Sequence, residues 1–248
     1  MSNNRIGLNK GYSKMQNQYL IELFQTYYIS VYQIRRLLGK NYQISPIIGG
    51  IPPEWHDYLK PDDFPRLHEI LTQATNDAYP TNSQDEELSK KLSALFGTTV
   101  VAENIDSGGF GSAAKITVKS DTGEDIHVVL KKFYEWHEKY MKKHGLFAEV
   151  RSAFIAQKIA PENSKKIYAA YLKKPNGYIL SEYIPKTEDE RPCEECYWNR
   201  NKLKDKLVKS CDCGYDNCIG GKLVDFGGIE NIYMPKYRMS TIKNEKSK

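Results

Sequence analysis

The stretch Ser107–Phe133, SGGFGSAAKITVKSDTGEDIHVVLKKF, decides how the chain is read. It opens on glycines, runs through the β-branched AAKITVK, turns at SDTGED and returns as DIHVVLKKF. β-Branched segments on either side of a Gly/Asp-rich turn predict an antiparallel hairpin. Upstream, TTVVAENI (98–105) predicts a further strand. Downstream, Phe147, Val150, Phe154 and Ile159 predict a helix over 145–160. KKIYAAYL (165–172) and GYILSEYI (177–184), joined by KKPNG, predict two more strands. The expected order is three strands, one helix and two strands.

Before Thr98 the texture is helical. Leu20, Leu23, Phe24, Tyr27, Val31, Ile34 and Leu38 recur at helical spacing over 15–39. Residues 40–65, with IIGGIPPEW, read as an ordered loop, and FPRLHEILTQATND as a short helix. SQDEELSKKLSALFG has Ser83 and Glu86 in capping-box spacing and Gly97 as a stop. The expected organisation is a helical module over 1–97, a sheet domain over 98–185, and a polar, cysteine-containing segment over 186–248. The fold class is α+β.

The totals exclude some classes. At 248 residues with 40% hydrophobic residues the chain can bury a core, and its net charge of +5 permits an anionic partner without demanding one. No apolar run reaches membrane-span length, and MSNNRIGLNKGYSKMQNQ is not a hydrophobic signal segment, so a soluble protein is expected. All five cysteines fall between 193 and 218, which argues against a scattered disulfide framework and for a reducing compartment.

Gly109, Gly111 and Ala114 fall at the glycine positions of G-x-G-x-x-G. Such a stretch is either a plain hairpin turn or a loop whose backbone N–H groups approach phosphate. A dinucleotide-binding loop is disfavoured, because a strand follows it rather than a helix. VVLK, Val128–Lys131, lies on the third strand, and Glu149 lies on the following helix. LSEYI ends the fifth strand, and DFG is Asp225, Phe226 and Gly227. In SCDCGYDNC, Asp212 stands five positions before Asn217. CIGGKLVDFG then allows a tight hairpin turning at Gly220–Gly221.

In that order, residues 98–235 resemble the protein-kinase superfamily. The resemblance implies a kinase-like fold: a five-stranded antiparallel N-lobe sheet, an αC helix, a hinge and a reduced C-lobe, preceded here by a helical extension. It also implies ATP and Mg²⁺ as cofactors. Lys131 would bind the α/β-phosphates and be oriented by Glu149. Asn217 and Asp225 would hold Mg²⁺, and Asp212 would accept or orient the attacking hydroxyl. The loop of Gly109, Gly111 and Ala114 would cover phosphate. Glu182 and Ile184 would offer backbone groups to adenine, with Ser181 as gatekeeper. The chain departs from the family at Ala114, at Ser210 and Cys211 in place of His and Arg, and in lacking A-P-E. About twenty residues follow DFGG, so the chain looks like a minimal kinase similar to secreted bacterial effector kinases. That implies a protein substrate in a host cytoplasm. Phosphoryl and nucleotidyl transfer stay open.

Three further readings accompany this one. Cys193, Cys196, Cys211 and Cys213 suit tetrahedral zinc, or are small buried side chains. Lys139, Lys142, Lys143, His144 and Arg151, with Lys158, Lys165 and Lys166, form a basic cluster. It is either a solvated face or a site for an inositol polyphosphate or phosphoinositide activator. Nucleic acid is disfavoured, because the cluster shows no interleaved stacking pattern. The rivals to an active kinase are a pseudokinase that holds nucleotide without turnover and a zinc-stapled interaction domain.

Overall fold

The computed structural model describes residues 47–74, 82–107, 111–121, 123–133, 146–172, 177–185, 208–210, 218–219, 222–223 and 229–231. The helices expected over 15–39 lie outside the described residues.

The molecule is α+β. Its main sheet has six strands, β1 (Ile47–Gly49), β2 (Val100–Ser107), β3 (Gly111–Val118), β4 (Ile126–Phe133), β5 (Ile167–Tyr171) and β6 (Tyr178–Glu182). They are all antiparallel, in the order β1-β5-β6-β4-β3-β2. Strands β2 to β6 are the five expected from sequence. Among the described residues three helices accompany them: α1 (Phe64–Gln73), α2 (Asn82–Phe96) and α3 (Leu146–Ile159).

The sixth strand corrects the reading of 40–65 as loop. Ile47–Gly49 pairs with the outer edge of β5, and two 3-10 turns, Pro53–Asp57 and Pro61–Asp63, follow it. Three residues carry too little periodicity to announce a strand. The capping-box expectation also shifts, because α2 already begins at Asn82 and Ser83 falls inside it. Gly97 does end the helix. Its φ is +69°, a left-handed conformation costly for other residues, and its N–H donates to Ser93 O at 3.0 Å.

Sequence alternation sorts β4 into two faces. Val128 and Leu130 join one apolar cluster with Ile116, Val118, Val100, Ala102 and Leu180. The 47–97 segment covers that face with Trp55, Leu59, Leu67, Ile70, Leu71, Leu88, Leu92 and Phe96. Trp55 meets Phe96 edge-on, with ring centroids 5.0 Å apart. His68 on α1 reaches the Tyr178 hydroxyl through Nδ1 at 3.0 Å. Residues 47–97 and the sheet therefore share a single core.

Helix α2 does more than cover a face. Leu88, Leu92 and Phe96 point into the core, while Asp85, Ser89 and Ser93, also four apart, lie along β2. The Val100 N–H donates to Ser93 Oγ and the Ala102 N–H to Ser89 Oγ, both at 2.8 Å. The Asn104 N–H donates to Asp85 Oδ2 at 2.8 Å. Alternate residues of an edge strand are thus satisfied by one helix stripe instead of a seventh strand. This closes an edge that would otherwise be a template for association.

Two outcomes follow. Ser89→Ala or Ser93→Ala leaves a half-buried β2 N–H without its acceptor. Each should cost about 1–2 kcal/mol in urea unfolding, whereas Glu86→Ala, on the exposed side of α2, should stay within about 0.5 kcal/mol. The second concerns alkaline pH. The Tyr168 hydroxyl is pushed up to about 12, by burial first and then by the Glu54 and Glu182 carboxylates. Burial also raises Tyr178. The fold therefore favours the protonated phenols. Their contribution is complete below the ordinary value of 10.0 and is lost as pH rises through the folded values. The urea midpoint should therefore fall above pH 10, in step with delayed phenolate absorbance.

Candidate functional site

The face of β4 turned away from the shared core carries Val129, Lys131 and Phe133. Lys131 Nζ sits 5.6 Å from the Phe133 ring centroid, as expected for neighbours on one face. Helix α3 lies on this side. Glu149, in its first turn, accepts a hydrogen bond from Lys131 Nζ at 2.7 Å. The two side chains are only 17% and 8% exposed. An acidic residue in the first turn also sits favourably against the helix dipole. The sequence thus brings together two residues 18 positions apart, as expected.

Strand register sets the neighbours of this pair. Ala113 and Ile179 flank Lys131, while Lys115 and Ser181 flank Val129. Ser181 is completely buried, and its Oγ has no hydrogen-bond partner among the described residues. The two exposed large apolar side chains among the described residues, Val101 and Ile105, both lie on β2. Val101 pairs with Thr117, which shares this face with Lys131.

Two of the loop assignments take a different place from the one expected. Ala114 lies within β3, paired with Leu130, so it belongs to the shared-core face and not to the loop. Gly111 already pairs with Phe133 at the start of β3. A Cβ there would fall 1.9 Å from the Lys132 carbonyl oxygen, so close packing against β4 alone requires glycine. Gly109 lies outside the described residues.

At the end of β6, Glu182 Oε1 accepts from the Lys166 N–H at 3.0 Å and from Lys222 Nζ at 2.8 Å. The Glu182 N–H itself donates to Lys166 O at 2.9 Å, so this donor is committed to the chain entering β5. Ile184 follows, half-buried. Lys115 Nζ lies 4.6 Å from the Tyr183 ring centroid, and His127 meets the same ring. Burial first, and then the Lys115 charge, hold the His127 imidazole below its ordinary value.

Short strands follow at the C-terminal side. β8 (Cys218–Ile219) pairs with β9 (Lys222–Leu223), Ile219 opposite Lys222, as the expected hairpin requires; Gly220 and Gly221 lie outside the described residues. β7 (Val208–Ser210) pairs with β10 (Ile229–Asn231), which joins Ser210 to Ile229. These two ladders lie on either side of the segments that hold Asp212, Asn217 and Asp225 in the sequence. Those three residues lie outside the described residues. So do Cys193, Cys196, Cys211 and Cys213, and Lys139, Lys142, Lys143 and His144.

The basic cluster changes at its described members. Arg151 is buried on α3, and desolvation lowers its guanidinium pKa. Lys165 is buried too, while Lys158 and Lys166 are exposed. Arg151 therefore does not belong to an exposed basic face. Sequence reasoning missed the side-chain role of Glu182, because no local pattern links it to Lys222.

No protein-family model matches this chain, and no curated protein is similar to it.

The Lys131–Glu149 pair makes a direct prediction. Glu149→Gln keeps the size of the side chain but removes the carboxylate charge that the largely buried Lys131 ammonium meets. A loss of about 2–3 kcal/mol in urea unfolding is expected. The same change at the exposed Glu124 should shift it by less than about 0.5 kcal/mol.

Proposed function

We propose that the chain is an ATP- and Mg²⁺-dependent phosphotransferase of the protein-kinase type, acting on Ser or Thr of a protein. The observation that carries this reading is the Lys131–Glu149 ion pair at 2.7 Å. A lysine fixed by a carboxylate, on a sheet face lined with apolar side chains, is a preorganised cation for the phosphates of a ligand whose base can lie on the apolar part. Three observations support it. The meander β2-β3-β4 continues to β6 and then β5, the arrangement a kinase N-lobe needs. The unpartnered Ser181 Oγ lies in the row next to Lys131. The two short ladders flank the acidic segments.

In this reading Lys131 binds the α/β-phosphates and Glu149 orients it. Glu182, through its carbonyl, and Ile184 hold adenine. The backbone from Gly109 to Gly111 covers phosphate. Two carboxylates and an amide oxygen, at Asp212, Asp225 and Asn217, are a donor set suited to a hard cation such as Mg²⁺. Bound Mg²⁺ would neutralise phosphate charge. Asn217 and Asp225 would hold it, and Asp212 would accept or orient the substrate hydroxyl. The likeness to secreted bacterial effector kinases makes a host protein the proposed substrate. A polyanion such as an inositol polyphosphate is the proposed activator, bound by Lys139, Lys142, Lys143 and His144. Zinc on Cys193, Cys196, Cys211 and Cys213 is compatible with this site. A second reading, a nucleotide-holding module without turnover, rests on Ser210 and Cys211 standing in place of His and Arg.

Labelled-ATP transfer by wild type, Asp212→Ala and Asp225→Ala, with and without host-cell extract, tests the proposal. Asp225→Ala should abolish transfer, and Asp212→Ala should lower it roughly 100-fold or more. Equal signal from all three proteins ends the catalytic assignment. Mg²⁺-dependent nucleotide binding without transfer favours the second reading.

A further inference from the structure

The Glu182 carboxylate joins three separate pieces of chain. It holds the N–H of Lys166, just before β5, and the ammonium of Lys222, 40 residues downstream on β9. The Lys222 and Glu182 side chains are 34% and 21% exposed, so water screens the pair only in part. β9 also contacts the 3-10 turn Pro161–Asn163, between α3 and β5. A hairpin of two strands with two residues each cannot hold its own position, because its ladder is too short. It needs an anchor, and among the described residues Lys222–Glu182 is the ion pair that supplies one. Asp225 stands three residues beyond Lys222.

We infer that Glu182 is a positioning residue: by holding Lys222 it fixes the hairpin that leads into Asp225, and so sets the metal-binding end of the site relative to Lys131. This rests on the nucleotide-site reading, and it is separate from the backbone contact with adenine assigned above. The pair joins the strand that leads to the base-binding segment to the hairpin that leads to the metal ligands. Losing it should therefore disturb the metal-dependent part of nucleotide binding and spare the metal-independent part. A merely structural role for Lys222 would weaken both together or lower only the melting temperature.

The test measures ATP affinity by calorimetry on the full chain, with Mg²⁺ and with EDTA. The proteins are wild type, Lys222→Met, Lys222→Arg, Glu182→Gln, the Glu182→Gln/Lys222→Met double variant, and Asp225→Ala. Lys222→Met keeps the stem and removes the charge, while Glu182→Gln keeps an oxygen for the Lys166 N–H. Lys222→Met and Glu182→Gln should each reduce the Mg²⁺-dependent gain in affinity by roughly two- to fivefold, the range of a partly screened ion pair. The double variant should lose no more than either single one, because both remove the same interaction. Lys222→Arg should restore the gain, and affinity in EDTA should stay at the wild-type value in Lys222→Met. If wild type shows a Mg²⁺-dependent gain that Asp225→Ala loses and Lys222→Met retains, the inference fails while the nucleotide-site reading stands. Equal loss with Mg²⁺ and with EDTA also overturns the inference. If wild type shows no Mg²⁺-dependent gain at all, both fall.

Discussion

The constraint on which the structure rests is that β4 is buried on both faces. A strand covered on one side can alternate apolar and polar residues, but a strand covered on both must be apolar nearly throughout or pair its charges. VVLK, Val128–Lys131, meets that condition in two ways. Val128 and Leu130 turn to the core shared with residues 47–97, and Val129 turns to the other face. Lys131, which is mostly buried, is matched by Glu149. A shift of register by one residue would carry Lys131 into the apolar core and expose Leu130 on the α3 side, so register and ion pair fix each other. The chemistry proposed for Lys131 thus follows from the same alternation that builds the sheet.

The 47–97 segment is tied to the sheet at three places, which is why it belongs to the same core. It covers one face, it adds β1 to the β5 edge, and it satisfies the β2 edge with Asp85, Ser89 and Ser93. The apolar stripe of α2 and its small polar stripe are each four-residue repeats offset by three, so one helix serves two surfaces. This packing lies on the face opposite α3. Any support the segment gives Glu149 therefore passes through the strands and not through direct contact between helices.

Much of this was legible in the sequence because it is local. Alternation over 98–133 and 165–184, and the turn residues between, placed five strands. The separation of Lys131 and Glu149 along a strand and then a helix brought the pair together. What was missed is either too short or non-local. Ile47–Gly49 has three residues, fewer than a period can be read from. Ala114 looked like a loop position because the glycine spacing was matched without the pairing that places it beside Leu130. Gly111 is explained by the nearness of Lys132, which only tertiary packing reveals. The meeting of Glu182 with Lys222 joins segments that no spacing rule connects. The assignments that carry most of the proposed chemistry, Asp212, Asn217 and Asp225, still rest on sequence.

The burial of α3 narrows where an activator would act. Glu149, Val150, Arg151, Ser152, Ala153, Phe154 and Ala156 are all buried, so this part of the helix is enclosed on more than an apolar stripe. A helix held this way is positioned by packing, and its carboxylate meets Lys131 at 2.7 Å. A polyanion bound at Lys139, Lys142, Lys143 and His144 would therefore act first on the connection leading into α3. With Arg151 and Lys165 inside, the exposed Lys158 and Lys166 are the members of the cluster left to share the recognition with that connection.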